Sequence, residues 1–249
     1  MDLAANPAQG QEILLIYHGS QRADRVSRML IAQGYRLRWV NPVIGEKLPD
    51  SLDDLFAVVV YGGAHSVNDK SADVISEQAW ISRWIAAERP YLGLCLGSQF
   101  LARALGTEVQ HAPDVVLENG YTRIDPVEET AYLSHPLYVF EWHNEGYELP
   151  KDCTLFAKGL RFPTQGYYYK PWIVGLQFHP EVVPEVAIDW FEEAGYQQNL
   201  YGAHSVERQF RDAQVFEKSM EKWTGNLLEE WLKAAHQNSN QLSKGAMHV

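Results

Sequence analysis

Cysteine is scarce in this chain of 249 residues, which carries two, Cys95 and Cys153. Two thiols cannot build the disulfide framework of a small secreted scaffold, and no Cys/His pair stands at zinc-site spacing. A reducing, cytoplasmic setting is expected, with no metal and no cofactor. Positive charge is also short: Lys and Arg total 21 against 32 Asp and Glu, a formal net charge of −11. That balance offers no basic field to a phosphate backbone or an anionic lipid, so neither nucleic acid nor a membrane is an expected partner. No apolar run approaches the roughly 20 residues of a membrane span. The opening MDLAANPAQGQEILLIYHG lacks the charged start and long apolar segment of a signal peptide. A phosphate-cradling G-x-x-x-x-G-K-[ST] loop is missing as well.

What is present reads as an α/β protein with a sizeable core, 46% of its residues being hydrophobic. Ile13 to His18 is a buried strand, Arg22 to Gly34 a helix ending at glycine, and Tyr35 to Val40 a second, alternating strand. The continuous apolar run Phe56 to Gly63 has the pattern of a central parallel strand covered on both faces. Ser71 to Glu88 has helical spacing, and PYLGLC is the next strand. From about Val109 to Gln177 short β-like pieces alternate with Pro, Gly and Asn, as in a meander or mixed sheet. Val183 to Gly195 is amphipathic; Val206 to Gln237 is a long helical pattern with an interruption at Gly225, and the tail from His236 frays into disorder. The expected architecture is a doubly wound, mostly parallel sheet flanked by helices over 1–200, with a C-terminal helical extension over 201–249 packed on the same domain.

Within that frame, YLGLCLGSQFLARALG places Cys95 at a strand-to-helix turn between Gly93 and Gly97. A G-x-C-x-G turn strains its central residue and needs small neighbours. The sulfur then stands at a helix N-terminus, where the macrodipole and free amides favour a thiolate. The bland alternative is a small cysteine packed between strand and helix. A base is available in GLQFHPEV: His179 closes a strand, and Glu181, two residues on, leans the same way and can hold the ring. An isolated H-x-E is more often a solvated strand end, but two chemical signals at two strand ends favour a site.

Four motifs now carry a resemblance: GLCLGSQ (Gly93 to Gln99), YGGAHSVND (Tyr61 to Asp69), EWHNE (Glu141 to Glu145) and GLQFHPEV (Gly175 to Val182). The chain resembles a class I glutamine amidotransferase of the triad type, most similar to stand-alone proteins like the glutaminase domain of GMP synthase. The resemblance implies a flavodoxin-like sheet and a Cys95–His179–Glu181 triad that hydrolyses the glutamine side-chain amide through a γ-glutamyl thioester. It assigns the oxyanion hole to the backbone N–H groups of Gly63 and Leu96. It also assigns substrate binding to Gln99, Gly62, Trp142, His143 and Asn144.

Three departures stand out: Ala64 and Asn144 replace a frequent proline and a frequent glycine, and QGYYYKPW is rich in tyrosine. Tyr167 to Tyr169 either cover a sheet edge or reshape the mouth of the site. No length remains for a synthetase domain, so a glutaminase-type unit with a synthetase or acceptor-protein partner is expected. Trp223 and Trp231 are either docking anchors for that partner or core residues. Two further readings stay open: a hydrolase of other γ-glutamyl amides, and an idle binding or regulatory module. Cys153 is expected to be an ordinary buried thiol.

Overall fold

The computed structural model describes residues 10–19, 24–112, 116–127, 130–194, 197 and 200–246. The first half alternates strand and helix: β1 (Glu12–Ile16), α1 (Arg25–Ala32), β2 (Arg36–Val40), β3 (Ala57–Val60), α2 (Ala72–Ala86), β4 (Tyr91–Leu94) and α3 (Leu96–Ala104). Short strands follow, namely β5 (Val109–His111), β6 (Glu118–Pro126), β7 (Leu137–His143), β8 (Glu145–Tyr147), β9 (Thr154–Lys158), β10 (Gly166–Lys170) and β11 (Ile173–Leu176). Two helices close the chain, α4 (Pro184–Ala194) and α5 (Val206–Ala246).

Nine strands form one sheet in the order β2-β1-β3-β4-β11-β10-β9-β6-β7, and β5 pairs with β8 apart from it. The run from β2 to β11 is parallel, and beyond β11 the pairing turns antiparallel. The apolar runs are continuous because the central strands bury both faces. Ile13, Leu15, Ala57 and Val59 face one core, where residues of α1, α4 and α5 pack. Leu14, Ile16, Val58 and Val60 face the other, covered by α2 and α3. Because β1 leads to β2 on one side and β3 to β4 on the other, the strand order reverses between β1 and β3. In open α/β sheets ligands bind outside the carboxyl ends of the strands at such a reversal.

Two boundaries differ from expectation. Helix α1 starts at Arg25, because Asp24 is its N-cap and accepts a 2.9 Å bond from the Ser27 amide; the expected start at Arg22 lies outside the described residues. Helix α5 runs through Gly225 without a break. Glycine costs about 1 kcal/mol in a helix, and burial of Met220, Leu227, Leu228 and Trp231 around it outweighs that. The tail expected to fray from His236 is helical over its described residues. His236 bonds the Tyr35 hydroxyl at 2.7 Å, Asn238 donates to the Glu88 carbonyl at 3.2 Å, and the helix reaches Ala246.

Candidate active site

Cys95 joins β4 to α3 with φ +48° and ψ −105°, a backbone that side chains other than hydrogen rarely adopt. Its neighbours must be glycine. A Cβ on Gly93 would sit 2.5 Å from the Gly97 carbonyl oxygen, and one on Gly97 would sit 2.1 Å from that of Val60. The turn is held from outside by hydroxyls: Tyr91 donates to the Gly97 carbonyl (2.7 Å), Tyr167 to the Ser98 carbonyl (3.0 Å), and Tyr147 to the Ser98 hydroxyl (2.8 Å). Cys95 lines a cavity of about 550 Å³ at the carboxyl ends of the parallel strands.

His179 and Glu181 line the same cavity, both nearly buried. The His179 Nδ1 lies 2.7 Å from a Glu181 carboxylate oxygen, while Nε2 has no aligned hydrogen-bond partner. Gly62 touches both halves: a Cβ there would lie 2.5 Å from His179 Cε1 and 3.3 Å from Cys95 Cβ. Burial disfavours the imidazolium, but Cys95 and Glu181 outweigh it and hold the His179 pKa well above 6.5. Gly63 and Leu96 are neighbours, a Cβ on the glycine falling 3.2 Å from Leu96 Cδ2.

The segment from Trp142 to Glu145 closes another wall. His143 Nδ1 donates to the Glu145 carbonyl at 2.9 Å, and Gln99 Nε2 donates to the same oxygen at 3.3 Å. The other nitrogen of His143 stands 3.0 Å from Glu141 and 3.5 Å from Glu118. These three form a buried His/Glu group whose ligand atoms lie within 4.8 Å of one another. His143 thus faces acceptors on both sides, although its Nε2 makes no aligned hydrogen bond. Burial works against a charge on the ring, yet Glu118 and Glu141 push its pKa up from 6.5 to about 10, while burial also raises Glu141. Trp142 and Asn144 line the cavity.

Several neighbours escaped the sequence reading. Gln177 donates to Cys95 Sγ at 3.7 Å, and the ring of Trp190 meets that of His179 edge-on at 4.9 Å. Arg25 is buried under the H-P-E turn, where it donates to the Pro180 carbonyl and pairs with Glu217 of α5. Its own amide donates to the Glu181 carbonyl at 3.0 Å. The long C-terminal helix thereby reaches the H-P-E turn through one guanidinium. Asp24 accepts from the Tyr61 hydroxyl at 3.2 Å, and burial raises its pKa to about 6.

The tyrosines follow neither expected reading, since β10 lies inside the sheet between β11 and β9 and covers no edge, while the tryptophans follow the plainer one. Tyr167 is buried against Tyr147 and α3, and none of Tyr167 to Tyr169 lines the cavity, so they do not shape its mouth. Trp231 is buried and donates to the Trp172 carbonyl; Trp223 packs on Phe178 and donates to the Tyr132 carbonyl. Both belong to the core and are not free anchors. Cys153 is half-buried, not fully so, and burial pushes its thiol up to about 12.

A family model described as glutamine amidotransferase class-I matches residues 14–193. The glutamine amidotransferase-like protein YfeJ of Salmonella typhimurium is 32% identical over 164 residues, spanning 61% of this chain and 68% of that protein. One subunit of the glutamine-hydrolyzing GMP synthase of Thermoplasma acidophilum is 30% identical over 177 residues, 69% of this chain and 84% of its own length. A crystal structure of a glutamine amidotransferase from Methylobacillus flagellatus shares the fold, with TM-score 0.83, 21% identity, and coverage of 91% of this chain and 95% of that one. One from Thermotoga maritima gives TM-score 0.75 at 26% identity, covering 90% and 97%. No helix among the described residues is long and apolar enough to cross a membrane. A match that begins in β1 and ends in α4 takes in every strand end that meets at the cavity, and this chain belongs to the class I glutamine amidotransferases, a family of glutamine amide hydrolysis.

Proposed function

We propose that the protein hydrolyses a γ-glutamyl amide, in first place that of glutamine, through a thioester on Cys95. One observation carries the reading. Cys95 takes the strained turn beside a histidine whose Nδ1 is held by Glu181 at 2.7 Å and whose Nε2 has no aligned partner.

In this reading the Cys95 thiolate attacks the amide carbon, a C–S bond forms, and the carbonyl electron pair moves onto oxygen. Backbone N–H groups of Gly63 and Leu96 receive that oxyanion; one such donor is typically worth about 10²- to 10³-fold in rate. The imidazolium of His179 gives its proton to the amide nitrogen, the C–N bond breaks and ammonia leaves. His179 next takes a proton from water, the hydroxide adds to the thioester, and the C–S bond breaks to release the γ-carboxylate. Gln99, Gly62, Trp142, His143 and Asn144 surround the substrate. The ring of His143, its Nδ1 bonded to the Glu145 carbonyl and its Nε2 facing Glu118 and Glu141, supplies charge and shape to that wall.

We further read 1–200 as the catalytic unit and 201–249 as a helical extension, acting in the cytoplasm. The relatives named as parts of a glutamine-hydrolyzing GMP synthase favour ammonia delivery to a synthetase on another chain. A second reading is favoured by the 550 Å³ cavity, which a glutamine side chain fills only in part: a bulkier γ-glutamyl amide is the substrate.

A diazoketone analogue of glutamine tests the site. Peptide mass mapping is expected to find the adduct on Cys95 in the wild type and none in Cys95→Ala. Modification elsewhere, or none, contradicts the reading, and relative rates on a panel of γ-glutamyl amides separate the two substrates.

A further inference from the structure

A buried ion pair beside the cavity takes no part in the steps above. His18 follows β1 and Glu77 lies in α2, with 8% and 2% of their surfaces exposed. The Nε2 of His18 is 3.0 Å from both Glu77 oxygens, and its Nδ1 is 3.1 Å from the Gly62 carbonyl oxygen. A carbonyl oxygen and an ionised carboxylate both only accept, so both ring nitrogens carry hydrogen and the ring is an imidazolium. The ring stacks on Phe100 of α3, at 6.3 Å and 29°.

The bond to Gly62 bears on the reaction because of the next residue. Gly62–Gly63 is a trans peptide, so the Gly62 carbonyl and the Gly63 N–H point in opposite directions. Binding the carbonyl to His18 turns the Gly63 N–H away from His18, and the other neighbours of the two glycines are Leu96, Cys95 and His179. Gly63 itself is wedged: a Cβ there would lie 2.5 Å from His18 Cβ and 3.2 Å from Leu96 Cδ2. We propose that His18, anchored by Glu77, is the positioning residue of the oxyanion loop, holding the Gly62–Gly63 peptide plane so that the Gly63 N–H meets the developing oxyanion. This inference rests on the amidohydrolase reading.

The charge on His18 sets a direction with pH. Facing it are Glu77 from α2 and the carbonyls of Tyr61 and Gly62; the Tyr91 hydroxyl of β4 lies near Glu77, and Phe100 brings no charge. Burial works against the imidazolium, but Glu77 outweighs it and raises the pKa above 6.5. His18 is therefore protonated below that raised value and loses its grip on Gly62 as pH climbs through it. Hydrolysis falls on the alkaline side.

The test compares wild type, Glu77→Gln and His18→Gln by the pH profile of kcat and KM for amide hydrolysis. In parallel it measures carbamidomethylation of Cys95 by iodoacetamide, which displaces iodide and needs the thiolate but no oxyanion hole. Glu77→Gln is expected to move the alkaline limb of kcat down by about one pH unit or more. His18→Gln is expected to lower kcat about 10- to 100-fold, with KM and alkylation near wild type. An unmoved alkaline limb, or turnover and alkylation falling together, overturns the inference. Wild-type protein that alkylates at Cys95 yet hydrolyses no amide contradicts the amidohydrolase reading instead. In that event a γ-glutamyl aldehyde decides: the thiolate adds to its carbonyl carbon, the oxygen takes the charge, and weaker trapping in His18→Gln supports the inference while equal trapping overturns it.

Discussion

The ends of β11 and β7 each present a buried histidine beside glutamate, and they differ in what else each ring faces. After β11, His179 gives Nδ1 to Glu181 and has Cys95 as its other strong neighbour. At the end of β7, His143 gives Nδ1 to the Glu145 carbonyl and turns Nε2 between Glu118 and Glu141. A ring whose second nitrogen faces carboxylates can hold a wall and carry charge, whereas a ring that has a thiol as its other strong neighbour can exchange a proton with it. Burial and a nearby carboxylate are common to both regions, so neither alone marks a general base.

The strongest break of this comparison removes the thiol or the ring beside it. Cys95→Ala and His179→Ala are expected to lower kcat on the order of 10⁴- to 10⁶-fold. Glu181→Ala should lose less, since nucleophile and base remain and only the orientation of the ring is lost. The same kinetics on His143→Gln should give a smaller effect, concentrated in KM.

His143→Gln also sharpens the comparison through stability. With its pKa raised from 6.5 to about 10, the imidazolium contributes stability that is fully present below about pH 6.5 and lost as pH rises toward 10. Urea midpoints at about pH 6 and pH 9.5 should converge in His143→Gln relative to wild type. They should not coincide, because His18 and His179 are raised in the same direction.

A weaker perturbation reaches the β11 end from a distance. Glu217→Gln leaves Arg25 with less countercharge under the H-P-E turn. Stability is expected to fall by about 1–2 kcal/mol in urea titration, and kcat several-fold. The smallest effect belongs to Cys153→Ser. That thiol stays protonated at neutral pH and does not line the cavity, so turnover should match wild type.

The sequence made the Cys95 turn legible because its Gly-x-Cys-x-Gly pattern is contiguous in the chain, with Gly93 pressed against the backbone of Gly97 and Gly97 against that of Val60. The parallel strands were legible for a similar reason, since burial on both faces writes an unbroken apolar run. The clamp of Arg25 on Pro180 and Glu217 was not, because it joins residues far apart in the chain and nothing near Arg22 to Gly34 signals it. The same holds for His18, whose partners Gly62 and Glu77 come from two other elements. Tyr167 to Tyr169 misled in the opposite sense. Tyrosine near a motif suggested a reshaped mouth, while the Tyr167 hydroxyl serves the helix that follows Cys95.

The measurement that bears most directly on this account is ammonia release from glutamine by the purified protein, with Cys95→Ala as the blank. The account predicts release in the wild type and none above background in the variant. Equal release by both proteins would contradict it.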